Sequence, residues 1–147
     1  MNRERLTHLV TVLRRVHDER KPFAMGNWAT DSDHPCGTAA CAFGWAAFDP
    51  EFQKQGLNVE AFVFGVRQYF TLDSPASVEA MTNMPGYSGF VGQIRFEDNN
   101  DFYAAMAFFE LDENTALMLF MPSSYPTSAV GPLDVVERVE ELLGSGP

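Results

Sequence analysis

The apolar residues at both ends of the chain recur at helical spacing. From Asn2 to about Arg20 they return every three or four positions, and Pro22 marks the end of this segment. The segment from Leu133 to Leu143 keeps the same period. Both patterns predict amphipathic helices. The apolar positions are Leu6, Leu9, Val10, Leu13 and Val16 in the first helix and Val135, Val136, Val139, Leu142 and Leu143 in the second.

Five shorter helices are predicted from residues that cap helix starts. A Ser, Thr or Asp side chain before a helix accepts a hydrogen bond from an otherwise unpaired backbone N–H group. Such residues precede helices starting at Ala39, Pro50, Pro75, Phe102 and Glu113. The capping residues are Thr38, Asp49, Ser74, Asp101 and Asp112.

Two runs of β-branched and aromatic residues, Val59 to Phe64 and Val91 to Phe96, are bounded by glycines and predict strands. We find no internal repeat, linker or low-complexity segment in the 147 residues, which predicts one domain over residues 1–147. The expected fold class is α+β, a predominantly helical single domain with a small two- or three-stranded antiparallel sheet.

The composition predicts a packed core. Hydrophobic residues make up 46% of the chain, and thirteen of them are Phe. No stretch approaches the roughly 18 consecutive apolar residues of a membrane span, and the polar N-terminus does not resemble a signal peptide. We therefore expect a cytoplasmic protein without membrane contact. In such a setting the two cysteines are expected to be free thiols.

The net charge of −10 is unevenly distributed along the chain. Residues 1–21 contain six basic and three acidic side chains and carry +3, so the rest carries −13. A body this negative repels nucleic-acid backbone, which argues against general nucleic-acid binding. It attracts basic protein surfaces instead. The basic face of the first helix is expected to pair with the acidic body.

Cys36 precedes a predicted helix start, where backbone N–H groups lower the pKa of a thiol. A thiol-dependent enzyme with Cys36 as nucleophile and His34 as base is one hypothesis. A metal site is another, with Asp31, Asp33, His34, Cys36 and Cys41 as candidate ligands. It is disfavoured because structural zinc needs four ligands, usually cysteine and histidine, and two cysteines with one neighbouring histidine leave that set short. A Cys36–Cys41 disulfide is disfavoured by the expected separation of the α-carbons.

No phosphate-binding glycine loop or dinucleotide fingerprint is present, so we expect no cofactor. Capture of a small anionic ligand, such as a signalling nucleotide, between the Cys36 to Trp45 segment and the sheet remains an alternative. Core packing is the favoured role of Trp28, Trp45, Phe108 and Phe109. The candidate binding residues are Trp28, Cys36, Thr38, Trp45, Arg67 and Arg95.

Four segments of the chain resemble a family of small uncharacterised proteins encoded by phages, prophages and bacteria. These proteins share the motif Pro-Cys-Gly-Thr-x-x-Cys-x-x-Gly followed by Trp or His. The segments here are Met25 to Trp28, Pro35 to Ala46, Phe108 to Leu111, and Leu119 with Phe120.

The resemblance implies a biological setting rather than a reaction. Glu110 stands where relatives commonly have glycine, and Gly44-Trp45 replaces the Gly-His form, which removes one candidate ligand or base. We therefore favour a non-enzymatic interaction protein of a phage or mobile element, acting in the host cytoplasm on a host protein such as a defence component. The sequence does not determine the oligomeric state.

Overall fold

The computed structural model describes residues 1–21, 23, 30–31, 38–39, 41–127 and 129–144, with the backbone alone for residues 30–31 and 38–39. The two amphipathic helices predicted at the ends of the chain form and lie against each other. They are α1 (Arg3–Asp18) and α7 (Pro132–Gly144). The Asn2 side chain caps α1 by accepting a hydrogen bond from the Arg5 backbone N–H at 3.0 Å.

Three of the predicted capping residues begin helices as expected. The side chains of Asp49, Ser74 and Asp112 each accept a hydrogen bond from the backbone N–H three residues later, which satisfies one unpaired donor of the helix. Asp49 is followed by Pro50 and Ser74 by Pro75, where proline is favoured at the first helical position. The shorter helices are α2 (Ala42–Ala47), α3 (Pro50–Lys54), α4 (Pro75–Thr82), α5 (Asp101–Phe109) and α6 (Glu113–Phe120).

The predicted role of Thr38 as a helix cap is wrong. Thr38 lies in the short strand β2 (Thr38–Ala39), which pairs antiparallel with β1 (Thr30–Asp31). Because this pairing holds the backbone extended, the helix α2 begins only at Ala42. Cys41 takes the capping position, where its sulfur accepts a hydrogen bond from the Gly44 backbone N–H at 3.4 Å.

Asp101 does not cap α5 as predicted. Its backbone has φ of +51°, in the left-handed region that Asp and Asn adopt more readily than most residues, and it is the first residue of the helix. Its carboxylate accepts a hydrogen bond from the Ile94 backbone N–H at 2.9 Å instead. The side chain therefore ties the start of α5 to the sheet.

The sheet is antiparallel and has four strands, which confirms the α+β class and corrects the expected two or three strands. Both predicted strands form, but the sequence patterns identified neither of the other two. The spatial order is β4-β3-β5-β6. The strands are β3 (Asn58–Phe64), β4 (Gln68–Leu72), β5 (Gly89–Phe96) and β6 (Asn99–Asn100).

The turn between β3 and β4 is held against the loop that precedes β5. Gly65 has φ of +86°, and a Cβ atom at this position would lie 1.8 Å from the Gly86 carbonyl oxygen. The Ser88 backbone N–H also donates to the Phe64 carbonyl at 3.0 Å. Only glycine fits this close approach of two backbones.

One face of the sheet covers the core, and the helices supply the other side. The inward face contributes Val59, Ala61 and Val63 from the central strand, all buried. Behind them lies an aromatic cluster in which neighbouring ring centroids are 5.0 to 6.1 Å apart, a separation typical of favourable aromatic pairs. Its members are Phe43, Phe52, Phe96, Phe108, Phe109 and Phe120.

Among the described residues, no helix combines the length and the apolar character that crossing a bilayer requires.

Candidate functional site

Cys41 is a buried structural thiol. Its side chain is 2% exposed, and burial raises its pKa to about 12, so the thiol stays protonated at neutral pH. It is a free cysteine, as the sequence predicted. A protonated, buried thiol is neither a nucleophile nor a ready metal ligand.

The residues that carry the remaining thiol and metal hypotheses lie outside the described part of the chain. They are Asp33, His34 and Cys36, and the candidate binding residue Trp28 also lies outside the described residues. The thiol hypothesis stays a prediction. Within the described ranges, no group of three His, Cys, Asp or Glu side chains is arranged to hold a metal ion.

Trp45 belongs to the core, as predicted. It is buried, and its ring meets that of Phe48 edge to face at a centroid distance of 5.9 Å. The Lys21 ammonium lies 5.5 Å from the centre of the Trp45 ring, at cation–π distance. Phe108 and Phe109 are also fully buried, so the core-packing interpretation holds for all three aromatics.

The two arginines proposed to line an anion pocket do not lie together. Arg95 pairs in register with Asn58 at the start of β3, whereas Arg67 follows the end of that strand, in the turn to β4. The six residue steps from Asn58 to Phe64 separate them by about 20 Å at roughly 3.4 Å per residue. Arg95 is also paired with Glu60 at 3.2 Å. A shared pocket for a nucleotide is therefore not supported by their placement.

The basic face of α1 is engaged within the chain. Arg14 forms an ion pair with Glu140 of α7, and Arg15 pairs with Asp49 at 3.1 Å. Arg3 donates to the Leu143 carbonyl. The predicted pairing of this face with the acidic body is confirmed. Much of the positive charge of the N-terminal segment is thus already neutralised or bonded by other parts of the chain.

The outward face of the sheet carries an apolar row. Phe62 of the central strand lies directly opposite Tyr69 on one side and Val91 on the other, and Phe64 follows two residues later on the same face. The Phe62 ring centroid lies 5.0 Å from that of Tyr69 and 5.6 Å from that of Phe64. Tyr69 is 70% exposed, Val91 54% and Phe64 43%. We call these four residues the outer row.

The rest of that outward face is polar. Glu60 lies two residues before Phe62 on the same face, opposite Thr71 of β4 and Gln93 of β5. The Arg95–Glu60 ion pair also lies on this face. A contiguous apolar row bordered by polar residues is typical of a protein-interaction surface, whereas single exposed apolar residues are common on any protein.

A second feature is the buried carboxylate of Asp49, which is 4% exposed. Its oxygens accept hydrogen bonds from His8 Nε2 at 2.7 Å, Arg15 Nη2 at 3.1 Å and the Phe52 backbone N–H at 3.1 Å. These contacts join the middle of α1 to the start of α3. The His8 ring also packs edge to face on the Phe52 ring, at a centroid distance of 4.8 Å.

His8 faces a groove between α1 and α3 that encloses about 480 Å³. The His8 side chain is 34% exposed, so the ring that contacts buried Asp49 also reaches solvent. Five residues of α1 line one wall, and residues of α3 and the following turn line the other. We call this the α1–α3 groove; its lining is Glu4, Arg5, Thr7, His8, Thr11, Glu51, Phe52 and Gln55.

Sequence patterns identified neither the outer row nor the α1–α3 groove. A signal for strand β4, which carries Tyr69, was present in the aromatic and β-branched residues from Tyr69 to Leu72, which follow Gly65 at short distance. For the groove, the only local signal was the Asp49-Pro50 cap, which places a carboxylate at the start of α3 but says nothing about His8.

No protein-family model, curated protein or solved structure matches this chain. The resemblance of the Pro35 to Ala46 segment to phage-encoded proteins therefore stays a prediction. The function is argued below from geometry and charge.

Proposed function

We propose that this protein is a non-enzymatic binding protein whose outer row docks onto a basic partner protein. The observation that carries the proposal is the register of the sheet, which brings Tyr69, Phe62 and Val91 side by side on the outward face. Tyr and Phe are enriched at the centres of protein interfaces because they bury a large area at low entropic cost.

The charge of the chain supports a basic partner rather than a second copy of the same chain. The net charge is −10, and several of the N-terminal basic groups already bond to other parts of the chain. Two copies would repel each other, whereas a positive surface would be attracted over a distance of several ångströms. The charges of Arg95 and Glu60 next to the outer row cancel each other. The attraction for a basic partner therefore comes from the acidic residues on the rest of the protein.

The sequence resemblance supports a host protein as that partner. Small acidic proteins of phages and mobile elements would act on a protein of the host cell, and a basic nucleic-acid-binding surface fits the charge. This part of the proposal rests on analogy with the setting of the family that the Pro35 to Ala46 segment resembles.

The test compares capture of host proteins by matched variants. The outer-row variant combines Tyr69→Thr and Val91→Thr, which keep β propensity and remove apolar surface. The control variant combines Tyr103→Gln and Leu133→Gln, which remove exposed apolar side chains from helices α5 and α7. We expect one identified basic protein to bind the wild type and the control, and to bind the outer-row variant at least 30-fold more weakly. That loss corresponds to about 2 kcal/mol, the size of an interface hot spot.

Three results would contradict the proposal. The first is equal capture of the same proteins by the outer-row variant, once circular dichroism has shown that both variants fold. The second is an acidic captured partner whose binding does not weaken with salt. The third is a wild type that sediments as a dimer while the outer-row variant is a monomer, because a second copy would then occupy the outer row.

A further inference from the structure

The direction of one hydrogen bond shows how the backbone groups of the sheet alternate. The Ile94 backbone N–H donates to the Asp101 carboxylate at 2.9 Å. Asp101 follows β6, which lies on the side of β5 away from β3, so the backbone groups of Ile94 point away from β3. Ile94 lies opposite Val59 in the register. Because paired residues in antiparallel strands either exchange both of their hydrogen bonds or neither, Val59 directs its backbone groups to β4.

The same alternation leaves backbone groups of β4 open at the edge of the sheet. Val59 lies opposite Leu72 and bonds to it, and bonded pairs alternate along the two strands. The N–H and C=O groups of Tyr69 and Thr71 therefore point away from β3, where the sheet ends. Within the described ranges, no hydrogen bond reaches these four groups, and both residues are exposed. Two donors and two acceptors are thus available to an added strand.

The two edges of the sheet differ in how they are protected. Proteins usually prevent strand addition with short edge strands, charged residues, prolines, bulges or a covering group. At the far edge, β6 has only two residues, and the Asp101 carboxylate occupies the Ile94 N–H next to it. The other edge strand, β4, is Gln-Tyr-Phe-Thr-Leu, which contains no charge and no proline and pairs with β3 without a bulge. The β4 edge therefore lacks the features that exclude another strand.

We propose that an extended basic segment of the partner protein adds to β4 as a fifth, antiparallel strand. This inference rests on the proposed function and names the way in which the partner binds. In antiparallel addition, the partner residues opposite Tyr69 and Thr71 exchange hydrogen bonds with them, and their side chains lie on the outward face. They extend the outer row, which already runs from Val91 through Phe62 to Tyr69. The net charge of −10 favours a basic segment over a second copy of the chain.

The probe is the peptide acetyl-Lys-Val-Lys-Tyr-Lys-Val-Lys-amide, followed by NMR titration of the folded wild-type protein. Its apolar side chains share one face, so when they continue the outer row, the N–H groups of the same residues point to β4. Two methylated forms keep the charge of the peptide. One is N-methylated on the tyrosine and one valine, and the other on two lysines. Each form lacks backbone donors on one side of the added strand only.

We expect the unmethylated peptide to shift the amide resonances of Tyr69 and Thr71. Methylation of the tyrosine and valine should weaken binding by about tenfold or more, the effect of one or two lost hydrogen bonds, whereas methylation of the lysines should leave it nearly unchanged. Thr71→Pro removes an N–H that points to the open edge, where proline is tolerated, and should weaken binding by about tenfold as well. Its control, Thr71→Val, keeps this N–H and the β propensity and should bind like the wild type.

Several results would overturn the proposal. Equal binding of the two methylated peptides is one, because the probe would then direct no particular backbone donor at β4. A loss confined to the lysine-methylated peptide is another, since the added strand would then not be antiparallel with its apolar face outward. No shift at about 1 mM peptide would also overturn it. So would a wild-type dimer that Thr71→Pro converts to a monomer, because a second copy would then occupy the edge. If Thr71→Pro does not fold, the methylated peptides decide the question with the wild type alone.

The basic protein captured by the wild type separates this proposal from the proposed function. A partner that the outer-row variant loses and a folded Thr71→Pro variant retains would leave the proposed function standing and refute strand addition. The opposite result, in which the peptides behave as expected but the outer-row variant still captures the same partner as well as the wild type does, would refute docking on the outer row and leave the open edge as the binding site.

Discussion

Replacement of Asp49 tests whether its buried carboxylate holds α1 and α3 together. The carboxylate caps α3 through the Phe52 N–H and accepts hydrogen bonds from His8 and Arg15. Asp49→Ala removes all three contacts and leaves the Phe52 backbone N–H without its partner in a buried setting. Asp49→Asn keeps a capping oxygen, which Asn supplies about as well as Asp, but removes the charge that faces Arg15.

The magnitude follows from these contacts. Loss of a helix cap costs about 1 kcal/mol. The hydrogen bonds from His8 and Arg15 contribute about 1 kcal/mol each, because both side chains are partly exposed and solvent replaces part of the interaction. We therefore expect Asp49→Ala to lower the free energy of unfolding by about 3 kcal/mol, and Asp49→Asn by about half as much.

Urea denaturation followed by tryptophan fluorescence and circular dichroism measures this effect. With a slope of about 2 kcal/mol per molar urea, the midpoint should fall by about 1.5 M for Asp49→Ala. Glu51→Ala is the matched control, since it removes a neighbouring but exposed carboxylate and should stay within about 0.5 kcal/mol of the wild type. The reasoning is refuted if Asp49→Ala unfolds at the same urea concentration as Glu51→Ala.

Three further changes give sharp outcomes. Gly65→Ala should lower the free energy of unfolding by more than about 2 kcal/mol in urea melts, because its Cβ would collide with the Gly86 carbonyl, and a normal midpoint would show that the turn can move. Burial raises the pKa of the Asp101 carboxyl, so the protonated carboxyl stabilises the folded state at low pH. This contribution to the free energy of unfolding is lost as the pH rises from the pKa of the unfolded chain through the pKa of the folded chain. Asp101→Asn should remove that loss, and unchanged pH dependence of the melts would contradict it. In a Cys36→Ser background, Cys41 should react with a thiol reagent at neutral pH only as fast as the protein unfolds, since its pKa is about 12, and rapid labelling of the folded protein would disprove its burial.

Local signals were sufficient for most helices but not for every boundary. Asp49, Ser74 and Asp112 cap helices because short polar side chains satisfy the first backbone N–H groups whatever the surroundings. Thr38 has the same local chemistry and fails as a cap. Its backbone pairs with residues 30–31 of β1, and a contact between separate segments decides the conformation there.

Strand β4 was missed because its turn lacks the usual signature. Arg67 precedes the strand with φ of +58°, a conformation that sequence patterns assign to glycine or asparagine. Gly65 is present in the turn, but one glycine does not fix which residues pair. Without that register, Tyr69 could not be placed opposite Phe62, so the outer row was not predictable from the pattern of apolar residues.

The α1–α3 groove depends on contacts that no local pattern encodes. His8 and Asp49 are 41 positions apart, and they meet only because α1 and α3 pack around a shared Phe52 ring. The sequence indicated that the basic face of α1 would pair with acidic residues, and the Arg14 and Arg15 contacts confirm it. Charge predicted the kind of interaction, whereas helix packing determined the partners.

The packing of α1 on α7 has a consequence during protein synthesis. Arg14 and its partner Glu140 are separated by 126 positions, so the ribosome finishes the first helix long before its neighbour exists. At roughly 5 to 20 residues per second, the wait is about 6 to 25 s. Throughout that interval the apolar residues of α1 that α7 covers in the folded protein stay exposed to solvent.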